Sequence, residues 1–214
     1  MGTADVDVDG RRLRTRRSRA AMSRAAFDLL AERGLDAISV EDITERAGVT
    51  RRTFSRHFGS IEEAVLGAVD QDVHLFNDAL LRRPLAEAPL IAFHAAVHDW
   101  LEDAYGGERA VLLPPRWELF RRIEREPALF AGYQRIRAAG QRESVRIMAT
   151  RLGVDPGFDP RPAAAVAAGS AMLLAASQAW AEGDDPADLP RLVESFFAAL
   201  DELVAVRRYE ESAP

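Results

Sequence analysis

Arg51-Arg52, with Arg56 one helical turn further on, is the cluster in this 214-residue chain best suited to chemistry with a polyanion. A guanidinium presents its donors in a planar fork, which fits phosphate or the edge of guanine bidentately. The hydroxyl and imidazole groups of Ser39, Thr50, Thr53 and His57 stand nearby and suit phosphate oxygens, contacts that set position rather than sequence preference. A second constellation, His94, His98 and Glu102, has i, i+4, i+8 spacing and would share one face of a helix. Over two turns these three spread about 12 Å at 1.5 Å per residue, too far to converge on one ion. They are therefore expected to flank an apolar stripe, Leu90, Phe93, Val97 and Leu101, and no metal site is expected. Asp184-Asp185 sits in a turn-like Gly-Asp-Asp-Pro stretch and reads as solvated. With no Gly-rich phosphate loop, HExxH or nucleophile elbow, the chain is not expected to be an enzyme.

Composition narrows the classes further. The chain has no Cys, which removes disulfides, thiolate metal sites and a Cys nucleophile, and fits a reducing cytoplasm. All 28 Lys-plus-Arg residues are Arg, and the net charge is −6. That charge is unevenly spread. Residues 10–60 hold 12 Arg against 6 acids, while residues 61–214 hold 16 Arg against 25 acids. A basic N-terminal quarter on an acidic body predicts that one end meets a polyanion. The acidic start, Met1 to Gly10, is no secretory signal. The small-apolar run Ala163–Ala176 is shorter than the about 20 residues of a spanning helix. It reads as a buried packing helix in a soluble, cytoplasmic protein with no membrane partner.

The elements that would position these groups are all helical, since no Val, Ile or Thr run alternates with polar residues long enough for a strand. A first helix is expected over about Thr15–Arg33, with Met22, Ala26, Phe27 and Leu30 on one face and Gly34 as its cap. Ser39 and Asp42 form a capping box for a second helix that Gly48 stops. Thr50 caps a third, Arg51–Phe58, in which Phe54 and Phe58 face one core and turn Arg51, Arg52, Ser55 and Arg56 outward. Val40, Ile43, Ala47 and Val49 would bury the second helix on the first. Ser60 and Glu63 form a further capping box, opening a long fourth helix to Arg83. Two short helices about a four-residue turn have helix-turn-helix dimensions.

The segment SVEDITERAGVTRRTFSRHFGSIEEAV, with AFDLLAERGLDAI before it, resembles the DNA-binding domain of the TetR family of bacterial transcriptional regulators. The resemblance spans roughly Arg16–Val69. It implies that the third helix enters the major groove, with Arg51 and Arg52 contacting bases. An Arg run, including Arg14, Arg16, Arg17 and Arg19, would form a flexible arm over residues 1–14 and the start of the first helix, adding phosphate or minor-groove contacts. Two positions depart from the family pattern. Ser55 stands where Tyr is usual, and Ile61 where Lys is usual; both family residues touch the DNA backbone. The N-terminus of the fourth helix could still offer backbone N–H groups to a phosphate. A shallower salt dependence than that of a Lys- and Tyr-bearing relative is expected.

After the helix-turn-helix domain of residues 15–60, residues 61–214 read as a helical effector-binding and dimerisation domain, about nine helices in all. Helices are expected over Pro89–Tyr105, Arg109–Glu126 with a break at Pro114-Pro115, Pro127–Leu152, Arg161–Glu182 and Asp188–Arg208. Gly153–Pro160 is a loop. The segment EREPALFAGYQRIRAAGQRESVRIMATRLG and the Ala-rich helix after it resemble a subset of actinobacterial members that includes mycofactocin-type regulators responsive to acyl-CoA. This implies a small-molecule effector, apolar or acyl, with no cofactor. Candidate pocket residues are Phe93, Trp100, Trp117, Phe120, Met148 and Met172, with Tyr133 also in that set. In the last helix Leu189, Leu192, Val193, Phe196, Leu200, Leu203 and Val204 form a stripe too wide for one-sided burial. With Leu173 and Trp180 it is the expected homodimer surface, as the family resemblance also implies. The expected function is that of an effector-responsive homodimeric repressor binding a pseudo-palindromic duplex. The alternative is a helical adaptor or small-molecule-binding protein that has lost DNA binding.

Overall fold

A computed structural model describes residues 3–211, with side chains described over residues 14–204. The described residues are all-α and contain no strand. Ten helices follow one another: α1 (Thr3–Arg33), α2 (Val40–Ala47), α3 (Arg51–His57), α4 (Ile61–Val65), α5 (Gly67–Arg82), α6 (Pro89–Tyr105), α7 (Leu113–Ile123), α8 (Pro127–Leu152), α9 (Arg161–Glu182) and α10 (Leu189–Glu211).

Local sequence explains most of these limits. Ser39 accepts from the Asp42 N–H at 3.1 Å while the Asp42 carboxylate accepts from the Ser39 N–H at 2.9 Å, so α2 opens on a complete capping box. Gly48 ends it with φ 65°, a left-handed turn that disfavours any residue with a Cβ. Thr50 accepts from the Thr53 N–H at 3.2 Å to open α3. Helices α6, α8 and α9 run over the residues expected of them, and Pro stands in the first turn of each.

Four expectations need correction. The helix expected over Arg109–Glu126 with a break at Pro114-Pro115 is a 3-10 helix, Gly107–Leu112, followed by α7, whose first turn the two prolines occupy. The expected fourth helix is two, α4 and α5, broken at Leu66. Packing is tight just after the break: a Cβ on Gly67 would collide with Ser23 Oγ and come within 3.3 Å of Phe58. At Ser60 only half of the capping box forms. Ser60 accepts from the Glu63 N–H, but the Glu63 carboxylate accepts from Gly59 at 2.7 Å rather than from Ser60. The first helix begins at Thr3, not Thr15, because no Pro interrupts residues 3–15 and a lone Gly10 costs a helix only about 1 kcal/mol. Backbone at residues 3–14 is thus helical, whereas a flexible arm was expected; the side chains of Arg11 and Arg12 lie outside the described residues.

The described chain forms two compact units, residues 1–71 with 127–133, and residues 72–126 with 134–214. The first has a core of Met22, Leu30, Ile43, Phe54, Phe58 and Leu66, all buried, on which α1 packs against α2 and α4. Phe27 is half-buried, as are Val40, Ala47 and Val49. In the second, Phe76, Phe93, Met148, Trp180, Val193 and Phe197 belong to one buried cluster. Helix α9 packs against α6, α7 and α10. It is long and apolar enough to cross a membrane by length and composition, yet one face, Val166, Gly169, Ala176 and Trp180, is buried within the unit. The expectation of a buried helix holds for that face alone. Ala163, Ala164, Ala167 and Ala171 are exposed, because a stripe of Ala has little side chain with which to reach neighbours in its own chain.

Candidate DNA-reading surface and the interior of the body

Helix α3 is only seven residues long, so its orientation depends on how it is anchored. Phe54 and Phe58 supply the anchor, buried with ring centroids 5.6 Å apart. Helical geometry then turns Arg51, Arg52, Ser55 and Arg56 outward, and all four are exposed. Arg51 is not idle there: Nη1 donates to Glu41 Oε1 at 2.5 Å, an exposed pair between the first turns of α2 and α3. Ser55 returns its hydroxyl to the Arg51 carbonyl at 3.2 Å.

The groups assigned to phosphate have other work as well. Ser39 and Thr50 are helix caps, and Thr50 and Thr53 hydroxyls lie 3.0 Å apart. Ser39, first by its side chain and then by its backbone, holds the Asp42 carboxyl below the usual range. Partial burial pushes the His57 imidazole below its ordinary value, with the charges of Arg19 and Arg56 acting in the same direction. At the mouth of α4 the exposed Glu63 carboxylate occupies the Gly59 N–H and Ser60 the Glu63 N–H, so that end is not an open anion cradle. Arg14, Arg16 and Arg17 are exposed on α1. Arg19 is different. It points into its own unit, donating to the His57 carbonyl at 2.9 Å and to Asp70 Oδ2 at 2.6 Å. Sequence reasoning missed both that role and the Glu41 partner of Arg51, since neither pair has a regular spacing.

In the body, the six candidate pocket residues separate by burial. Phe93, Trp100 and Met148 are core, and the Phe93 ring lies directly over Gly169 of α9, where a Cβ would collide with it. Trp117, Phe120 and Met172 are only partly buried against that core. Trp117 donates its indole N–H to the Trp180 carbonyl at 2.8 Å, and Arg121 stacks over the Trp117 ring at 4.6 Å. Beside them stands a largely buried polar cluster that no sequence spacing signals. Asp72 Oδ2 accepts from Tyr105 OH at 2.8 Å and pairs with Arg116 Nη2 at 3.0 Å, while Arg116 Nε donates to Tyr105 OH at 3.0 Å. Burial pushes the Asp72 carboxyl up, against the opposing pull of Arg116 and Tyr105. Tyr133 is buried, in the first unit.

The α10 stripe is two stripes. Leu189, Val193 and Phe197 face inward and are buried, whereas Leu192, Phe196 and Leu200 are half-buried and Leu203 is 73% exposed. Val204 is exposed and Leu173 half-buried. Trp180, expected on the dimer surface, is 1% exposed with its N–H donated to the Pro186 carbonyl at 2.9 Å, and has no area left for a partner. His94 stacks on Phe197 at 4.2 Å and meets Glu194, while His98 and Glu102 are exposed.

This geometry meets the comparisons with known proteins at both ends of the chain. The family model described as bacterial regulatory proteins, tetR family, matches residues 23–66, and that of the MftR C-terminal domain matches residues 87–205. The HTH-type transcriptional regulator TcmR of Streptomyces glaucescens is 36% identical over 194 residues, covering 90% of this chain and 85% of its own. Among solved structures, the multidrug-binding protein EbrR complexed with malachite green shares the fold, with a TM-score of 0.50 at 20% identity over 84% of this chain and 96% of that one. A short capped helix presenting arginines, a match to the MftR C-terminal domain over the body and a relative matched over 90% of this chain agree, and the chain belongs to the TetR family of bacterial regulatory proteins, DNA-binding transcriptional regulators and not enzymes.

Proposed function

We propose that the protein is an effector-responsive, homodimeric repressor that acts in the cytoplasm and reads a pseudo-palindromic operator through α3. The observation carrying this reading is the exposed row Arg51, Arg52 and Arg56 on a helix fixed from behind by two buried phenylalanines. Arg51 and Arg52 lie at the N-terminal end of the helix, the end that reaches base edges in this motif, and guanine is the base that a guanidinium fork fits best. The Glu41 pair holds Arg51 forward in the free protein and is exchanged for a base edge on binding. Thr50, Thr53, Arg56 and His57 add phosphate contacts, with Arg14, Arg16 and Arg17 on α1.

A homodimer supplies the second copy of α3 that a two-fold operator requires. The exposed Ala face of α9 and the half-buried Leu192, Phe196 and Leu200 of α10 support its location, joined by Leu173 and Val204. The effector is a small apolar or acyl molecule bound in the body, next to Trp117, Phe120 and Met172. The MftR-type match and a multidrug-binding protein of the same fold favour that assignment. Binding shifts the population toward a dimer whose reading helices no longer meet successive major grooves. The alternative, a helical adaptor or small-molecule-binding protein that has lost DNA binding, rests on Ser55 and Ile61; the exposed arginine row of α3 favours the DNA-reading assignment over it.

Selection of random duplex DNA by the purified protein tests this reading, followed by anisotropy titration of the winner at several salt concentrations. A two-fold-symmetric consensus with a steep salt slope is expected. Enrichment of an asymmetric site, or none after refolding to strip ligand, overturns it.

A further inference from the structure

Six arginines in the first nineteen residues read alike in the sequence, but Arg19 is used differently from those whose side chains can be compared with it. Arg14, Arg16 and Arg17 are exposed. The Arg19 guanidinium is engaged on three sides at once. Nη1 donates to the carbonyl of His57, the last residue of the reading helix, at 2.9 Å. Nη2 pairs with Asp70 Oδ2 on the first turn of α5 at 2.6 Å. The flat face lies 4.6 Å from the centroid of Phe58, the residue that caps the C-terminus of α3.

We propose that Arg19 is a positioning residue for operator reading: it fixes the C-terminal end of α3 between α1 and α5 and makes no contact with DNA. The inference rests on α3 being the reading helix. A helix of seven residues has four carbonyls at its C-terminus without intrahelical partners, and a guanidinium at that end both satisfies one and complements the negative end of the dipole. Both bonds are charge-assisted, about twice as strong as neutral ones. A bidentate phosphate contact through Nη1 and Nη2 would compete with the His57 carbonyl and Asp70 for the same two amino groups. Arg19 thus ties the reading helix to the first turn of α5.

The test compares the full-length wild type with Arg19→Gln, Asp70→Asn, the double variant and Arg17→Ala. Two quantities are read: the ratio of non-specific to operator Kd with its salt slope, and amide exchange at residues 54–58 without DNA. Arg19→Gln is expected to lower the specificity ratio by about tenfold, the worth of one base contact, with the slope unchanged. Asp70→Asn should act in the same direction, and the double variant should be no worse than Arg19→Gln. Exchange at 54–58 should quicken while the urea midpoint shows the domain folded. Arg17→Ala is the contrast: binding weakens on all sequences and the slope falls by about 1. If Arg19→Gln flattens the slope by that amount and Asp70→Asn tightens binding, Arg19 is a phosphate contact and the proposal fails. Unchanged exchange at 54–58 also overturns it. Should the wild type select no consensus, the operator reading falls, and the exchange measurement still decides whether Arg19 holds α3.

Discussion

Arg51 shows how far a residue's role follows from type and position, and where a neighbour intervenes. Its exposure at the head of α3 follows from the Phe54–Phe58 spacing, which any i, i+4 pair on a helix imposes. Its ion pair with Glu41 does not, because the loop between α2 and α3 decides which side chains meet. Replacing Arg51 by Ala should relax base preference at one position and cost roughly 1–3 kcal/mol there; uniform weakening on every sequence in an anisotropy panel would make it a phosphate contact instead. His57 carries a second expectation. Because burial lowers its folded pKa below the unfolded value near 6.5, the unfolded chain takes up the proton first as pH falls. Stability is therefore lost between about pH 6.5 and the lowered value. The difference in urea midpoint between pH 7.5 and 5.5 should shrink in His57→Gln, and an undiminished difference would assign the loss to other groups.

Elements were legible where a cap or a proline marked them. Ser39, Gly48 and Thr50 delimit α2 and α3 to within a residue, and Pro89, Pro127 and Pro162 open three helices of the body. The break between α4 and α5 was not, since neither a proline nor a side-chain cap marks Leu66; the close approach of Gly67 to Ser23 joins positions 44 apart in sequence. Gly67→Ala should cost about 1–3 kcal/mol through overpacking. Ser23 Oγ is buried with no hydrogen-bond partner, so Ser23→Ala should be neutral or stabilising and should recover part of the loss in the double variant. Urea denaturation of the four chains checks this, and simple additivity would show that the two sites do not meet. The Asp72–Tyr105–Arg116 cluster is the other feature no periodicity announces. Deleting one member of a largely buried pair leaves a poorly compensated charge, so Asp72→Ala should destabilise by about 2–4 kcal/mol, a little less than for a fully buried pair. A loss under 1 kcal/mol in the same assay would mean that water reaches Arg116.

For the whole molecule, the split of the α10 stripe into inner and outer rows is what a second copy would complete. Leu189, Val193 and Phe197 serve the chain itself, while Leu192, Phe196 and Leu200 are half-exposed beside the Ala face of α9. Stable interfaces bury on the order of 1,600 Å² in total, which two such helix pairs could supply. Phe196→Glu should therefore yield a folded monomer by light scattering with operator affinity reduced at least tenfold, since one half-site is lost; a dimer that persists would place the interface elsewhere. The sequence disclosed the width of this stripe but not which residues look inward, because periodicity gives faces and not their neighbours. Trp180 is the clearest instance: its type suggested an interface anchor, and the fold uses it as core.

The contact between Phe93 and Gly169 ties two positions together across generations of the gene. With no room for a Cβ at 169 while a phenylalanine fills 93, position 169 cannot drift alone. Lineages that acquire Ala at the first should show Leu or a smaller side chain at the second, and the order of replacement is constrained. Shrinking position 93 leaves a cavity that a descendant can tolerate, whereas enlarging 169 first forces two helices apart.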